Sequence, residues 1–135
     1  MERRFVDTNI FLRYLTADHP AKYRRCRALF QRATDGEVIL ATSGLVIAEL
    51  IWTLQSFYRV SKLDIVEKVS IIVNMESLEI PEKDIITNAL VLFGRKNIDY
   101  IDAYNAVLMK RLGLGAIFSY DQDFDILEGL ERLEP

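Results

Sequence analysis

The stretch from residue 37 to 58, EVILATSGLVIAELIWTLQSFY, reads as one strand running into one helix. Residues 37–41 are short, apolar and β-branched, the composition of a strand covered on both faces. Thr42 and Ser43 offer side-chain oxygens that can cap a helix. Behind them Val46, Leu50, Leu54 and Phe57 recur at helical spacing through residues 45–58. A strand that turns directly into a capped helix is the repeating unit of a parallel α/β sheet.

The same alternation extends in both directions. Upstream, residues 3–6 predict a first strand and residues 10–15 a short apolar helix stopped by His19-Pro20. Residues 21–34 form a basic amphipathic helix ended by Asp35-Gly36. Downstream, the pattern predicts a helix at 63–75, a strand at 77–80, and a helix at 82–94 introduced by Pro81. A helix at 99–112 ends at Gly113 and Gly115. A strand at 116–119, an acidic loop and an edge strand at 130–133 complete the chain. The expectation is a single α/β domain over 1–135, with a parallel sheet and helices on both faces.

Composition narrows the function classes. A chain of 135 residues, 50% of them hydrophobic, buries about two thirds of its unfolded surface in one core. Seventeen basic residues against 20 acidic give a net charge of −3, which excludes a uniformly basic nucleic-acid coat but not a local basic patch. Cys26 is the only cysteine, so a disulfide framework and a Cys-based zinc site are excluded, and with His19 the only histidine a His-dependent metal site is nearly excluded. The longest apolar stretch, 45–54, is broken by Glu49 and Thr53 and falls short of the roughly 18 residues of a membrane span. Polar residues from Asp7 to Asn9 interrupt any apolar segment behind Arg3 and Arg4, so no secretory signal is read there, and a cytoplasmic protein is expected.

Several acids stand apart from ordinary surface charge. Asp7 directly follows the first strand, at the edge where parallel sheets bind ligands, although a capping role for the next helix is the plainer reading. Glu49 sits in an apolar helix with no Lys or Arg three or four residues away. Asp99 and Asp102 open a helix, where capping and the helix dipole account for both. Asp121, Asp123 and Asp125 follow the strand at 116–119. Their alternation suggests a calcium loop, but an EF-hand needs Gly at its sixth position and Glu at its twelfth, and here these are Ile126 and Arg132. In a parallel sheet Asp7, Glu49, Asp102 and Asp121 can converge on one edge. Four carboxylates without a cation between them repel, and a divalent ion held by oxygen ligands, Mg²⁺ or Mn²⁺, removes that cost.

Four segments carry a family resemblance: FVDTNIFLRYL, VIAELIW, DYIDAYNAVLMKRLG and IFSYDQDFDIL. In this order they closely resemble the motifs of PIN-domain ribonucleases, above all the small VapC-type toxins of type II toxin–antitoxin systems. The resemblance implies a three-layer α/β/α domain with a central, mainly parallel sheet. It implies an Mg²⁺- or Mn²⁺-dependent endoribonuclease using one or two ions and leaving a 5′-phosphate and a 3′-hydroxyl. Asp7, Glu49, Asp102 and Asp121 match the family's four metal-binding, catalytic acids, and Asp123 a less uniform additional metal ligand. Asn9 and Ser119 match polar positions that orient these carboxylates from a second shell. Asp99 and Asp125 have no counterpart and stay with capping and surface.

The implied partners are an RNA substrate, a second copy in a homodimer and a cognate antitoxin, with no membrane. RNA needs positive charge near the acidic edge. Residues 19–34 hold no acid and supply Lys22, Arg24, Arg25, Arg27 and Arg32, among which Arg24 and Arg25 are the candidate phosphate contacts. Tyr14 and Tyr23 lie close by in the sequence as candidate stacking rings. The apolar helices at 47–58 and 63–75 serve the core or a partner. The alternative functions are a housekeeping RNA-processing nuclease of the same fold and a non-catalytic scaffold that binds RNA or protein. A haloacid-dehalogenase-type phosphatase is rejected because Asn9 stands where its second Asp belongs, and a receiver domain because its phosphoacceptor Asp and Lys have no counterpart.

Overall fold

A computed structural model describes residues 2–135. Its contacts group into two compact units, Met1–Lys83 and Asp84–Pro135.

The first unit runs β1 (Arg3–Phe5), α1 (Thr8–Thr16), α2 (Pro20–Thr34), β2 (Ile39–Ala41), α3 (Gly44–Ser56), α4 (Lys62–Val73) and β3 (Leu78–Glu79). The three strands pair in the order β1-β2-β3, both pairs parallel, with Phe5 opposite Ala41 and Ala41 opposite Glu79. The pairing runs on past β1, since the Val6 amide donates to the Ala41 carbonyl at 2.8 Å. The buried Thr42 hydroxyl donates to the Val6 carbonyl, also at 2.8 Å. These two bonds fix the backbone immediately before Asp7.

Each helix starts where a side chain can take an unpaired amide. Asp7 is extended and its Oδ1 accepts from the Thr8 amide at 2.8 Å, so α1 begins two residues earlier than the apolar pattern predicts. His19 does more than end α1. Its ring Nδ1 accepts from the Lys22 amide, and Pro20 occupies the first turn of α2, where its missing N–H costs nothing. The chain between the two helices turns on Ala17, at a φ of 52°. Ser43 caps α3 and Ser61 caps α4 in the same manner.

The core of this unit forms as Phe11, Phe30, Ile47, Leu50, Leu54, Ile65, Val69 and Ile72 leave solvent. Phe11 stacks on Phe30 with centroids 5.6 Å apart. Phe57 does not continue the buried stripe of α3. The helix ends at Ser56, and the Phe57 ring is 75% exposed.

The second unit contains α5 (Lys83–Arg95, which begins on the last residue of the first unit), α6 (Tyr100–Arg111), β4 (Ala116–Phe118), a 3-10 turn (Gln122–Ile126) and β5 (Glu131–Leu133). β4 and β5 pair in parallel, Ala116 opposite Glu131 and Phe118 opposite Leu133. Phe93 and Tyr100 meet edge to face, centroids 6.2 Å apart, and join α5 to the start of α6. Every strand pair among the described residues is parallel and every crossover is helical, as the sequence predicts.

Candidate metal centre

Three carboxylates of the second unit meet. One oxygen each from Asp102, Asp121 and Asp123 lies within 4.8 Å of the others. Asp102 is placed by the first turn of α6. Asp121 and Asp123 are placed by the tight turn after β4, where the Ser119 and Asp121 side chains each hold the backbone two residues on. The Ser119 hydroxyl accepts from the Asp121 amide at 3.0 Å, and Asp121 Oδ1 accepts from the Asp123 amide at 2.9 Å.

The charge is uncompensated. None of the three carboxylates forms an ion pair among the described residues. Partial burial, then the neighbouring charges of Asp121, Asp99 and Asp123, hold the Asp102 carboxyl above the usual carboxylate range. A divalent cation would reverse both effects, and a donor set of carboxylate oxygens alone suits Mg²⁺ or Mn²⁺ better than zinc. The residues present thus fit the ion that the sequence implies.

Asp99 does not play its expected part. It occupies the N-cap position of α6, but its side chain makes no capping bond. Its charge adds to the repulsion on Asp102 instead. Asp125 is no free surface acid either, since its carboxylate meets the Arg132 guanidinium at 2.9 Å. Arg132 also donates to the Ser119 carbonyl at 3.0 Å and to Glu134 at 3.1 Å, with its side chain only 13% exposed. This residue ties the end of β4 to the 3-10 turn and to β5, and so braces both sides of Asp121 and Asp123. Sequence reading missed it, because the seven-residue gap from Asp125 to Arg132 matches no helical pairing.

In the first unit Asp7 and Asn9 are exposed at the start of α1, and the buried Thr8 hydroxyl between them has no hydrogen-bond partner among the described residues. Glu49 is exposed on α3, four residues after Leu45 (84% exposed) and three before Trp52 (66% exposed), which share its face. Arg24 and Arg25 are both exposed on α2, yet only Arg25 lines the cleft that also contains Asn9. Tyr14 and Tyr23 stack on each other at 6.3 Å, and Tyr14 packs on Phe30 at 4.7 Å. The facing rings of Tyr14 and Tyr23 serve the α1–α2 contact.

The solved structure of VapC20 from Mycobacterium tuberculosis, described as a Sarcin-Ricin loop cleaving toxin, aligns over 90% of this chain and 92% of its own at 20% identity, with a TM-score of 0.42. A VapC ribonuclease from Aquifex aeolicus is 25% identical over 132 residues, 98% of this chain and 96% of that protein. No described helix is long and apolar enough to cross a membrane. The profile of the PIN domain matches residues 4–130, nearly the whole sequence, and the chain belongs to the PIN domain family.

Proposed function

We propose that this protein is a divalent-metal-dependent endoribonuclease that acts as the toxin of a toxin–antitoxin pair. The observation that carries the reading is the unpaired cluster of Asp102, Asp121 and Asp123, a constellation that only repels itself without a cation. The similarity to a VapC ribonuclease along the full chain points to the same chemistry. Asp7 and Glu49 complete the proposed ligand set, and Asn9 and Ser119 orient it. The cofactor is Mg²⁺ or Mn²⁺, as one or two ions, and the site of action is the cytoplasm.

When bound, such an ion polarises the scissile phosphate and lowers the pKa of the attacking water. The protein's own contribution is to hold the carboxylates rigidly and to accept the water's proton on one of them. Ser119, through the Asp121 amide, and Arg132, through Asp125 and the Ser119 carbonyl, keep that geometry. RNA cleavage that requires Mg²⁺ or Mn²⁺ and stops on chelation is the expected result. Cleavage indifferent to chelation overturns the reading.

Arg132 acts as a positioning residue. Arg132→Ala is expected to weaken metal affinity by about 10- to 100-fold, the usual cost of removing support from outside the ligand shell. Arg132→Lys should restore little, because an ammonium cannot reproduce a forked contact to Asp125 while also reaching the Ser119 carbonyl. Titration of Mn²⁺ into each purified variant, with near-ultraviolet circular dichroism as the fold control, checks this.

Part of the apolar surface predicted for the middle helices stays outside the core. Leu45 and Trp52 on α3 and Leu63 and Ile71 on α4 are exposed, while Leu50, Leu54, Ile65 and Val69 of the same helices are buried. We assign this exposed face to partners of the same protein system, a second copy in a homodimer or the cognate antitoxin.

A further inference from the structure

The first unit contains a cationic cleft of about 450 Å³ between α1 and α2. Asn9 and Arg13 of α1 form one wall, and Lys22, Arg25 and Leu29 of α2 the other, with the buried Cys26 at its base. Lys22, Arg25, Cys26 and Leu29 fall three, four and seven residues apart, which is one face of a helix. Arg24 and Arg27 of the same helix do not line the cleft.

The charges in the cleft are not equivalent. Arg13 is occupied, since it donates to both carboxylate oxygens of Asp18 at 3.1 and 3.3 Å. Asp18 is held in turn by Thr16 and by the Tyr58 hydroxyl at 2.9 Å, so the Arg13 guanidinium is anchored. Lys22 and Arg25 make no ion pair with any described acid. Two exposed, uncompensated cations thus face an anchored guanidinium and the Asn9 amide across a cleft large enough for a phosphodiester group. Burial pushes the Cys26 thiol up while Arg25 and Arg13 pull it down, which places both guanidinium groups close to the base of the cleft. Unpaired Lys and Arg around a polar hollow match the oxygens of a phosphate, and Asn9 can donate to them as well.

We propose that this cleft is a subsite for the RNA backbone, in which Lys22 and Arg25 bind one or two phosphates and the Asp18-anchored Arg13 forms its fixed wall. The proposal rests on the endoribonuclease reading and deepens it. Asn9, which lines the cleft, lies two residues after Asp7 in the sequence. The subsite reads no base. It sets where the backbone lies and leaves sequence preference to other contacts.

The test is the salt dependence of RNA binding by the full chain. A labelled single-stranded RNA of mixed sequence is titrated at several salt concentrations in the Asp121→Asn background, with Mg²⁺ constant. Each phosphate neutralised on a single strand contributes about 0.7 to the slope of log K against log salt. Lys22→Ala/Arg25→Ala is expected to lower that slope by about 0.7 for one phosphate and about 1.4 for two, while Arg27→Ala on the same helix leaves it nearly unchanged. Both positions are exposed, and an unaltered circular dichroism spectrum confirms folding in each variant. A double variant with the parent slope overturns the subsite alone, as does an equal loss in Arg27→Ala, which would mark a diffuse basic face. Absence of any salt-dependent RNA binding in the parent overturns the subsite together with the nuclease reading.

Discussion

Asp121→Asn is expected to abolish RNA cleavage, by at least about 100-fold, and to leave the protein folded. Loss of a residue that merely supports a metal ligand costs about 10- to 100-fold, so loss of a ligand carboxylate sets that range as a floor. The fold survives because the substitution keeps the atom that the structure uses. Asp121 Oδ1 accepts from the Asp123 amide, and the Asn side-chain oxygen can accept the same bond and hold the 3-10 turn. The Ser119 contact is made to the residue 121 backbone amide and is unaffected. Asp7→Asn follows the same logic, since its Oδ1 role at the start of α1 is available to an amide oxygen. Cleavage rates under single-turnover conditions, measured beside thermal midpoints, check both variants. An active Asp121→Asn protein removes this residue from the catalytic set.

If the acidic cluster binds a divalent metal as proposed, the expected stabilisation is about 2.7 kcal/mol at a concentration 100-fold above the dissociation constant. At about 4 °C per kcal/mol for a chain of this size, the thermal midpoint rises by about 10 °C. The effect depends on pH, with a sign that Asp102 fixes. Its carboxyl holds a proton more strongly in the folded protein than in the unfolded chain, because of burial and the charges of Asp121, Asp99 and Asp123. The stability contributed by that proton is complete below the unfolded Asp range and is lost as pH rises through the raised value. The contribution of Asp102 to the stability of the metal-free protein therefore falls as the cluster ionises. The gain from metal grows over the same interval, since protons and metal compete for the same oxygens. Asp102→Asn removes the repulsion directly. It raises the midpoint of the chelated protein at neutral pH and abolishes the response to Mn²⁺. Melting curves with EDTA and with Mn²⁺ across pH 4 to 8 read all three effects.

Much of the fold is legible in the sequence because its signals are local. The short apolar strands, the Ser43 cap and the helix after Pro20 each depend on a few neighbouring residues. The departures have equally local causes. The apolar count starts the first helix too late because it ignores that Asp7 can cap it. Phe57 fits the helical period, but the helix ends one residue before it. The candidate site is legible to the extent that acid spacing reveals it. The turn after β4 brings Asp121 and Asp123 together within three residues, and Asp102 joins them through the tertiary fold. What the sequence hides is the partnering of charges. Asp125 and Asp123 look alike in the sequence, yet only Asp125 has Arg132, a partner supplied by β5. Arg24 and Arg25 are neighbours, yet one step along a helix turns a side chain by about 100°, enough to leave only Arg25 in the cleft.

The most direct test of the central claim is the mapping of 5′ ends in total cellular RNA treated with the purified protein, with Mn²⁺ and with EDTA. The account predicts discrete new ends carrying a 5′-phosphate that appear with Mn²⁺, vanish with EDTA and are absent with Asp121→Asn. New ends that form in EDTA, or an RNA pool left intact at every Mn²⁺ concentration, would contradict it.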